Sequence, residues 1–355
     1  MTAAMRRGNG LARLSFGALT SVSLLALPIV ASHTAMAQGT RPAALTGTVS
    51  SAEEGKMEGV VVSAKRPGST IMVSVSTNAQ GQYRFPKDRL EPGTYDITMR
   101  AVGYTLKPTT ATIPSAGAAQ LDLRLAKAGA DLLPLQLTNS EWILSAPGTH
   151  DQKLALLRCL DCHGMQRPIF SKEDGAEMAY TLQRMTAHSA NSSPNFPFFH
   201  QNASEILSRP PSKAMEDLGA YIATINLSSA ETWSYKLKTQ PRPTGKSTQA
   251  IVTTYDLPER AAPHDTLLDK AGNVWYSDFQ HHYIGKLDPK TGKVTRYPVP
   301  LSKPGFPTGG LMITMDKDGN IWEAMMGQAQ IAMLDPKTEK VTIHLAPDWD
   351  KGDTR

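Results

Sequence analysis

Cysteine is nearly absent, with 2 in 355 residues. No second C-x-x-C and no H-x-x-x-H supplies further ligands, so the spacing of a structural zinc site is missing. Charge is also sparse: 19% of residues are Asp, Glu, Lys or Arg. No basic run with interleaved aromatics occurs, which argues against a nucleic-acid partner. After residue 37 no apolar stretch is long enough to span a bilayer. Hydrophobic residues still make up 40% of the chain, so disorder throughout is excluded, and the length suggests two or three domains.

Residues 1–37 read as a secretory signal peptide. Arg6, Arg7 and Arg13 give a positive start, Phe16 to Ala31 is largely apolar and uncharged, and Ala35-Met36-Ala37 forms a small-x-small cleavage site. A transmembrane anchor fits less well, because the run is short and Pro28 interrupts it. Gly8, Asn9 and Gly10 follow the arginine pair where twin-arginine export wants bulk, so general secretion to the periplasm or beyond is expected. Removing those three arginines lowers the formal charge from +5 to +2. The basicity of the whole chain therefore says little about partners.

Both cysteines fall in Cys159-Leu160-Asp161-Cys162-His163. This C-x-x-C-H pattern is that of covalent c-type haem attachment: two thiols add to the vinyl groups of one porphyrin, and the adjacent imidazole lies beneath the iron. A redox disulfide is the alternative, but it gives His163 no task. The cofactor expected is one haem c, with Cys159, Cys162 and His163 as its binding residues.

Residues 43–126 alternate with period two, as in Leu45-Thr46-Gly47-Thr48-Val49, and turn residues such as Asn78-Ala79-Gln80-Gly81 punctuate the runs. About seven short strands at this spacing predict a β-sandwich. The stretches Gly59-Val60-Val61-Val62, Thr77 to Phe85, Pro92-Gly93-Thr94-Tyr95 and Gly103-Tyr104 resemble the carboxypeptidase regulatory-like, transthyretin-like family. The resemblance implies a spacer or binding module without catalytic residues, with a small-molecule or carbohydrate ligand as the alternative to a purely structural role.

Past a linker at 126–137, residues 138–228 change to helical periodicity. Thr149 and Gln152 form a capping-box signature, Ser171 with Asp174 caps a middle helix, and Ser212 opens a last helix with Met215, Leu218, Ile222 and Ile225 on one stripe. The segment resembles the cytochrome c family, an all-α fold with the attachment site near its start. That resemblance implies thioethers at Cys159 and Cys162 and a proximal ligand at His163. The usual Met-Pro before the last helix is missing. Met185, sharing a face with Met178 and Leu182 and closing Thr181-Leu182-Gln183-Arg184-Met185, is the distal candidate; His200, His188 and Met178 are the other candidates, and an open site is a further possibility.

Residues 229–249, rich in Thr, Lys, Pro and Ser, read as a linker. From 250 to 355 the chain repeats at a spacing of 47 residues: Gly272-Asn273-Val274-Trp275 recurs as Gly319-Asn320-Ile321-Trp322, and Asp288-Pro289-Lys290-Thr291 recurs as Asp335-Pro336-Lys337-Thr338. Short strands at this period predict two propeller blades, too few to close a ring. With Pro263-His264-Asp265 and Ile284-Gly285-Lys286-Leu287, they resemble the streptogramin (virginiamycin B) lyase family. That resemblance implies a magnesium-assisted elimination, for which His264 and Asp278 are the candidate catalytic residues; their counterparts are Leu311 and Met325. His281 and His282, adjacent on a strand, would point to opposite faces.

The expected fold class is thus multi-domain: a β-sandwich, an all-α cytochrome c fold and a partial two-bladed propeller. The expected function is a periplasmic c-type cytochrome that passes single electrons to a periplasmic redox partner protein. The alternative is a propeller enzyme, a C–O lyase or quinohaemoprotein-like oxidoreductase with an accessory haem.

Overall fold

Strict alternation needs two faces to serve, and residues 42–126 supply them. The computed structural model describes residues 42–161, 163–188, 206–230, 233–258, 261–304 and 308–347. The expected signal peptide, Cys162 and His200 lie outside these residues, as does the side chain of His188. Pro42–Arg355 forms one compact unit.

The long strand β1 (Ala43–Ser51) is the axis of the first sheet. It pairs antiparallel with β2 (Gly55–Lys56) and β5 (Gln82–Pro86), and parallel with β9 (Ala119–Gln120) and β10 (Leu123–Lys127); β10 then pairs with β7 (Tyr104–Thr105). The second sheet carries β4 (Ile71–Ser76), β3 (Val61–Lys65), β6 (Gly93–Arg100) and β8 (Thr109–Ile113) in that order. Their inward residues, among them Leu45, Val62, Val75, Phe85 and Ile97, form one apolar core. Each such side chain contributes about 1.5–3 kcal/mol on burial. Gly47 sits where a Cβ would lie 1.7 Å from the carbonyl oxygen of Leu121. Only a glycine lets β1 and the Leu121 backbone approach that closely.

The helices described next are α1 (Leu133–Gln136), α2 (Asn139–Ser145), α3 (His150–Ala155), α4 (Gln166–Ile169), α5 (Gly175–His188) and α6 (Lys213–Ala223). Thr138 and Glu141 make a reciprocal capping box on α2, and Thr149 and Gln152 make one on α3. The α5 cap differs from expectation. Asp174, not Ser171, accepts the Glu177 amide at 2.8 Å, while Ser171 Oγ accepts from Glu173. Ser212 occupies the α6 N-cap in extended geometry but makes no side-chain cap bond.

Residues 233–255 tie these parts together. Trp233, Tyr235 and Leu237 pack on the helical core, with Trp233 ring centroids 5.2 Å from Trp142 and 5.4 Å from Phe170. The Lys238 amide donates to Ser145 Oγ at 2.7 Å, and the Gln240 amide donates to the buried Glu141 at 2.8 Å. Arg242 then pairs with Glu54 in the turn between β1 and β2. Strand β11 (Ile251–Tyr255) joins β4 antiparallel, so the second sheet runs β11-β4-β3-β6-β8.

Two four-stranded antiparallel sheets close the chain. The first is β12 (Pro263–Leu268), β13 (Val274–Asp278), β14 (Tyr283–Leu287) and β15 (Val294–Pro298); the second is β16 (Ile313–Met315), β17 (Ile321–Met325), β18 (Gln330–Asp335) and β19 (Lys340–Leu345). Trp275, Ile284, Ile313, Ile321 and Met325 form a core shared by both.

The expected fold class is corrected on these grounds. The molecule is mostly β, in several separate sheets, and no independent all-α cytochrome domain forms. Its helices are short, and their core is completed by Val102 before them and by Trp233, Tyr235 and Leu237 after them. The helical caps were local signals, whereas the residues that finish the core arrive from outside the segment. The two closing sheets support a propeller only weakly.

Candidate functional site

Below α3 the chain tightens into a 3₁₀ turn, Leu156–Asp161, in which Cys159 is 6% exposed. The His163 amide donates back to the Cys159 carbonyl at 3.2 Å, setting the imidazole against the turn. Nδ1 of His163 lies 3.0 Å from the Gly164 carbonyl. A carbonyl only accepts, so Nδ1 is the donor in this contact. Nε2 of His163 is buried and has no hydrogen-bond partner among the described residues.

Helices α5 and α6 form the facing wall. Gly219 permits their contact: a Cβ there would lie 2.5 Å from the Gly175 carbonyl oxygen and 2.8 Å from the Ala179 nitrogen. This brings Ile222 of α6 beside Met178, Leu182 and Met185 of α5 around a cavity of about 300 Å³. Cys159, His163 and Pro168 also line it, with Arg167, Ser171, Glu173, Thr181 and Arg184 as the polar contribution. Arg184 reaches Thr181 Oγ1 at 2.6 Å and stands 3.9 Å from Glu173. The structure thus brings Cys159, His163 and Met185 to one cavity, with Met178 3% exposed in its wall. Sequence reasoning missed the polar residues Arg167 and Glu173, for which no motif exists, and quoted Arg184 only as the neighbour of Met185.

The other candidates separate. Asp278, fully buried at the end of β13, accepts from the amides of Ala262, Gln280 and His281, from the Tyr283 hydroxyl at 2.6 Å, and from His281 Nδ1 at 2.9 Å. Burial pushes its pKa up, but these bonds outweigh burial and hold the carboxyl below the usual range. His264 is turned to its neighbour Asp265 at 2.9 Å, and its ring lies 5.4 Å from Phe279. No hydrogen bond joins His264 to Asp278. His281 and His282 occupy the bend before β14 instead of a strand, so the two-face argument does not govern them.

Glu323, in β17, is 1% exposed, and neither carboxyl oxygen has a hydrogen-bond partner among the described residues. Burial, then the charge of Asp278, push its pKa up to about 8. Its one sequence signal was an acid at the position that Tyr276 holds one repeat earlier.

Residues 44–126 match the family model of the carboxypeptidase regulatory-like domain. Comparison with curated proteins finds no match. Among solved structures, virginiamycin B lyase from Staphylococcus aureus is 21% identical over 28% of this chain and 32% of its own, with a TM-score of 0.24. A streptogramin B lyase is 25% identical over 28% of this chain and 31% of its own, at 0.24. The extracellular domain of a one-component system from B. thetaiotaomicron is 22% identical over 24% of this chain and 11% of its own, at 0.20. The chain spans about a third of the length of the lyases it matches. Superpositions this loose establish a weak structural similarity and assign no activity.

The expected function is corrected accordingly. The family match lies outside the helical segment, that segment is not a cytochrome fold, and no group of three or more His, Cys, Asp or Glu among the described residues is arranged to hold a metal ion. An electron-carrying c-type cytochrome is not sustained, nor is the lyase or quinohaemoprotein alternative. Among the described residues no helix is long and apolar enough to cross a membrane.

Proposed function

We propose that this chain is an exported, modular binding protein whose helical segment holds a small, mostly apolar ligand, flanked by the sandwich and the repeat sheets. One observation carries the reading: His163 Nε2 is a buried nitrogen with no hydrogen-bond partner among the described residues, in a residue that lines a cavity of about 300 Å³. A buried polar atom left unpaired costs about 1–3 kcal/mol, so a ligand that satisfies it gains specificity from that atom. Met178, Leu182, Met185 and Ile222 give the ligand an apolar seat, and thioether side chains adapt to flat ring surfaces. Arg167 and Arg184 supply positive charge on the lining for an anionic substituent.

Haem c is the occupant proposed from the C-x-x-C-H motif. Cys159 would supply a thioether and His163 Nε2 a nitrogen ligand, with Met185 lining the same cavity; Cys162 lies outside the described residues.

The test uses the full chain, exported with and without the cytochrome maturation machinery, on a haem-stained denaturing gel and in a thermal-shift series with aromatic ring ligands. A stained band lost in Cys159→Ala supports haem c. An unstained band, with ring ligands raising the melting temperature of the parent but not of His163→Ala, supports the pocket and removes haem c. An unstained band with no ligand response overturns the reading.

A further inference from the structure

We infer that Glu323 is a proton-operated latch between the two repeat sheets, closed when its carboxyl is neutral and opened when it ionises. This inference is independent of the helical cavity and its occupant.

The geometry leaves the carboxylate form without support. Glu323 projects from β17 between Ile321 and Met325, both members of the core shared by the two sheets. Its cross-strand partners are Ile313 and Ala332, neither of which offers a side-chain donor. Gly310 packs on the carboxyl: a Cβ on it would lie 2.1 Å from Glu323 Oε1, so only a glycine fits beside it. The Gly310 amide is already committed to the Asp278 carbonyl at 2.9 Å.

The charge that acts on Glu323 is negative. Asp278 of the first sheet is kept ionised by its five bonds, and its partners His281 and Tyr283 direct their polar atoms to it. An ionised Glu323 would therefore be a second anion, buried and without a hydrogen-bond donor among the described residues, which proteins avoid by keeping the proton. The segment that would yield is defined. Residues 309–311 stitch the sheets through Gly310 and through the Leu311 carbonyl, which accepts from Ser277 Oγ at 2.7 Å. Opening there lets water reach Glu323.

Linkage gives the expected signature. The closed form holds its proton up to about pH 8, while a solvated glutamate releases it near 4.5. The opening constant thus climbs about tenfold per pH unit between those values and levels off above the higher one. Hydrogen exchange of peptides covering β13, 309–315 and β17 in the full chain, corrected for intrinsic exchange, reads this directly. Glu323→Gln, neutral at every pH, is expected to abolish the climb in these peptides and leave the sandwich peptides unchanged. Infrared difference spectra supply a second readout that needs only the parent protein: a protonated carboxyl band present at neutral pH that disappears as pH passes 8. The same pH profile in parent and Glu323→Gln overturns the latch, as does a parent with no protonated carboxyl at neutral pH.

Discussion

The two repeat sheets share a frame and differ at its centre. In each, an aspartate folds a tight turn and receives the indole of the tryptophan six residues later: Trp275 Nε1 donates to Asp269 at 3.0 Å and Trp322 Nε1 donates to Asp316 at 2.9 Å. The Asn273 and Asn320 amides complete the same ring of bonds. Along the strand after the tryptophan the copies part. Tyr276 lies over Gly285, whereas Glu323 lies opposite Ala332; Asp278, with five bonds, corresponds to Met325 in the shared core. Side-chain hydrogen bonds to the local turn recur because they build the sheet. The central positions are free to change because each packs against a different neighbour.

The largest effect expected from breaking this comparison is at Asp278. Asp278→Ala strands several buried donors and should cost about 3–5 kcal/mol in a denaturant melt, since bonds to a charged group are worth about 1.5–3 kcal/mol each and are not additive. The cost of Met325→Ala should be about 2–5 kcal/mol by cavity formation alone, and it should not vary with pH. A parent-like melt for Asp278→Ala would show that its bonds are incidental.

Next in size is the pH response. The folded pKa of Glu323 is raised, so its contribution is fully present below the unfolded value of 4.5 and is lost as pH rises toward about 8. Asp278 has the opposite sign: its folded pKa is depressed, so its contribution is present above the ordinary carboxylate range and fades as the solution is acidified. Stability against pH should therefore decline on both sides, and Glu323→Gln should remove the alkaline decline only.

A smaller effect tests the packing pairs. Gly285→Ala places a methyl 2.0–2.5 Å from the Tyr276 ring and should cost about 1–3 kcal/mol, relieved when Tyr276→Ala is added. The reverse change in the second sheet, Ala332→Gly, lacks that clash and should cost only about 0.5–1 kcal/mol. Equal costs at the two positions would mean that the pairs do not pack as units. The smallest effects are expected at Asp269→Asn and Asp316→Asn, which keep an acceptor for each indole; both should lower the melting temperature slightly and by similar amounts in a thermal scan.

The repeat was legible because its signals are local and occur twice, 47 residues apart. The capping boxes at Thr149–Gln152 and the strands from Leu45 to Phe85 were legible for the same reason: each depends on neighbours within a few residues or on a simple period. Met178, Leu182 and Met185 were placed on one face by helical spacing, and they do line one cavity. The partnership of Asp278 was not legible. His264 stood in the motif-like position, yet the bend before β14 delivers His281 instead. Glu323 could be seen as an oddity within the repeat, but its burial depends on Gly310 and on the other sheet.

By itself the sequence determined where the sandwich strands, the repeated strands and the Thr149–Gln152 capping box would form, because those follow from backbone bonds and side-chain periodicity over a few residues. Tertiary structure alone decided that β11 extends the sandwich beside β4, that Trp233 and Tyr235 finish the helical core, that the Nε2 of His163 has no hydrogen-bond partner among the described residues, and that Glu323 is cut off from water. The physical reason is burial. Which polar atoms lose water, and which apolar faces find each other, is set by segments far apart in the chain, such as Tyr255 against Ile71, whose meeting no local pattern records.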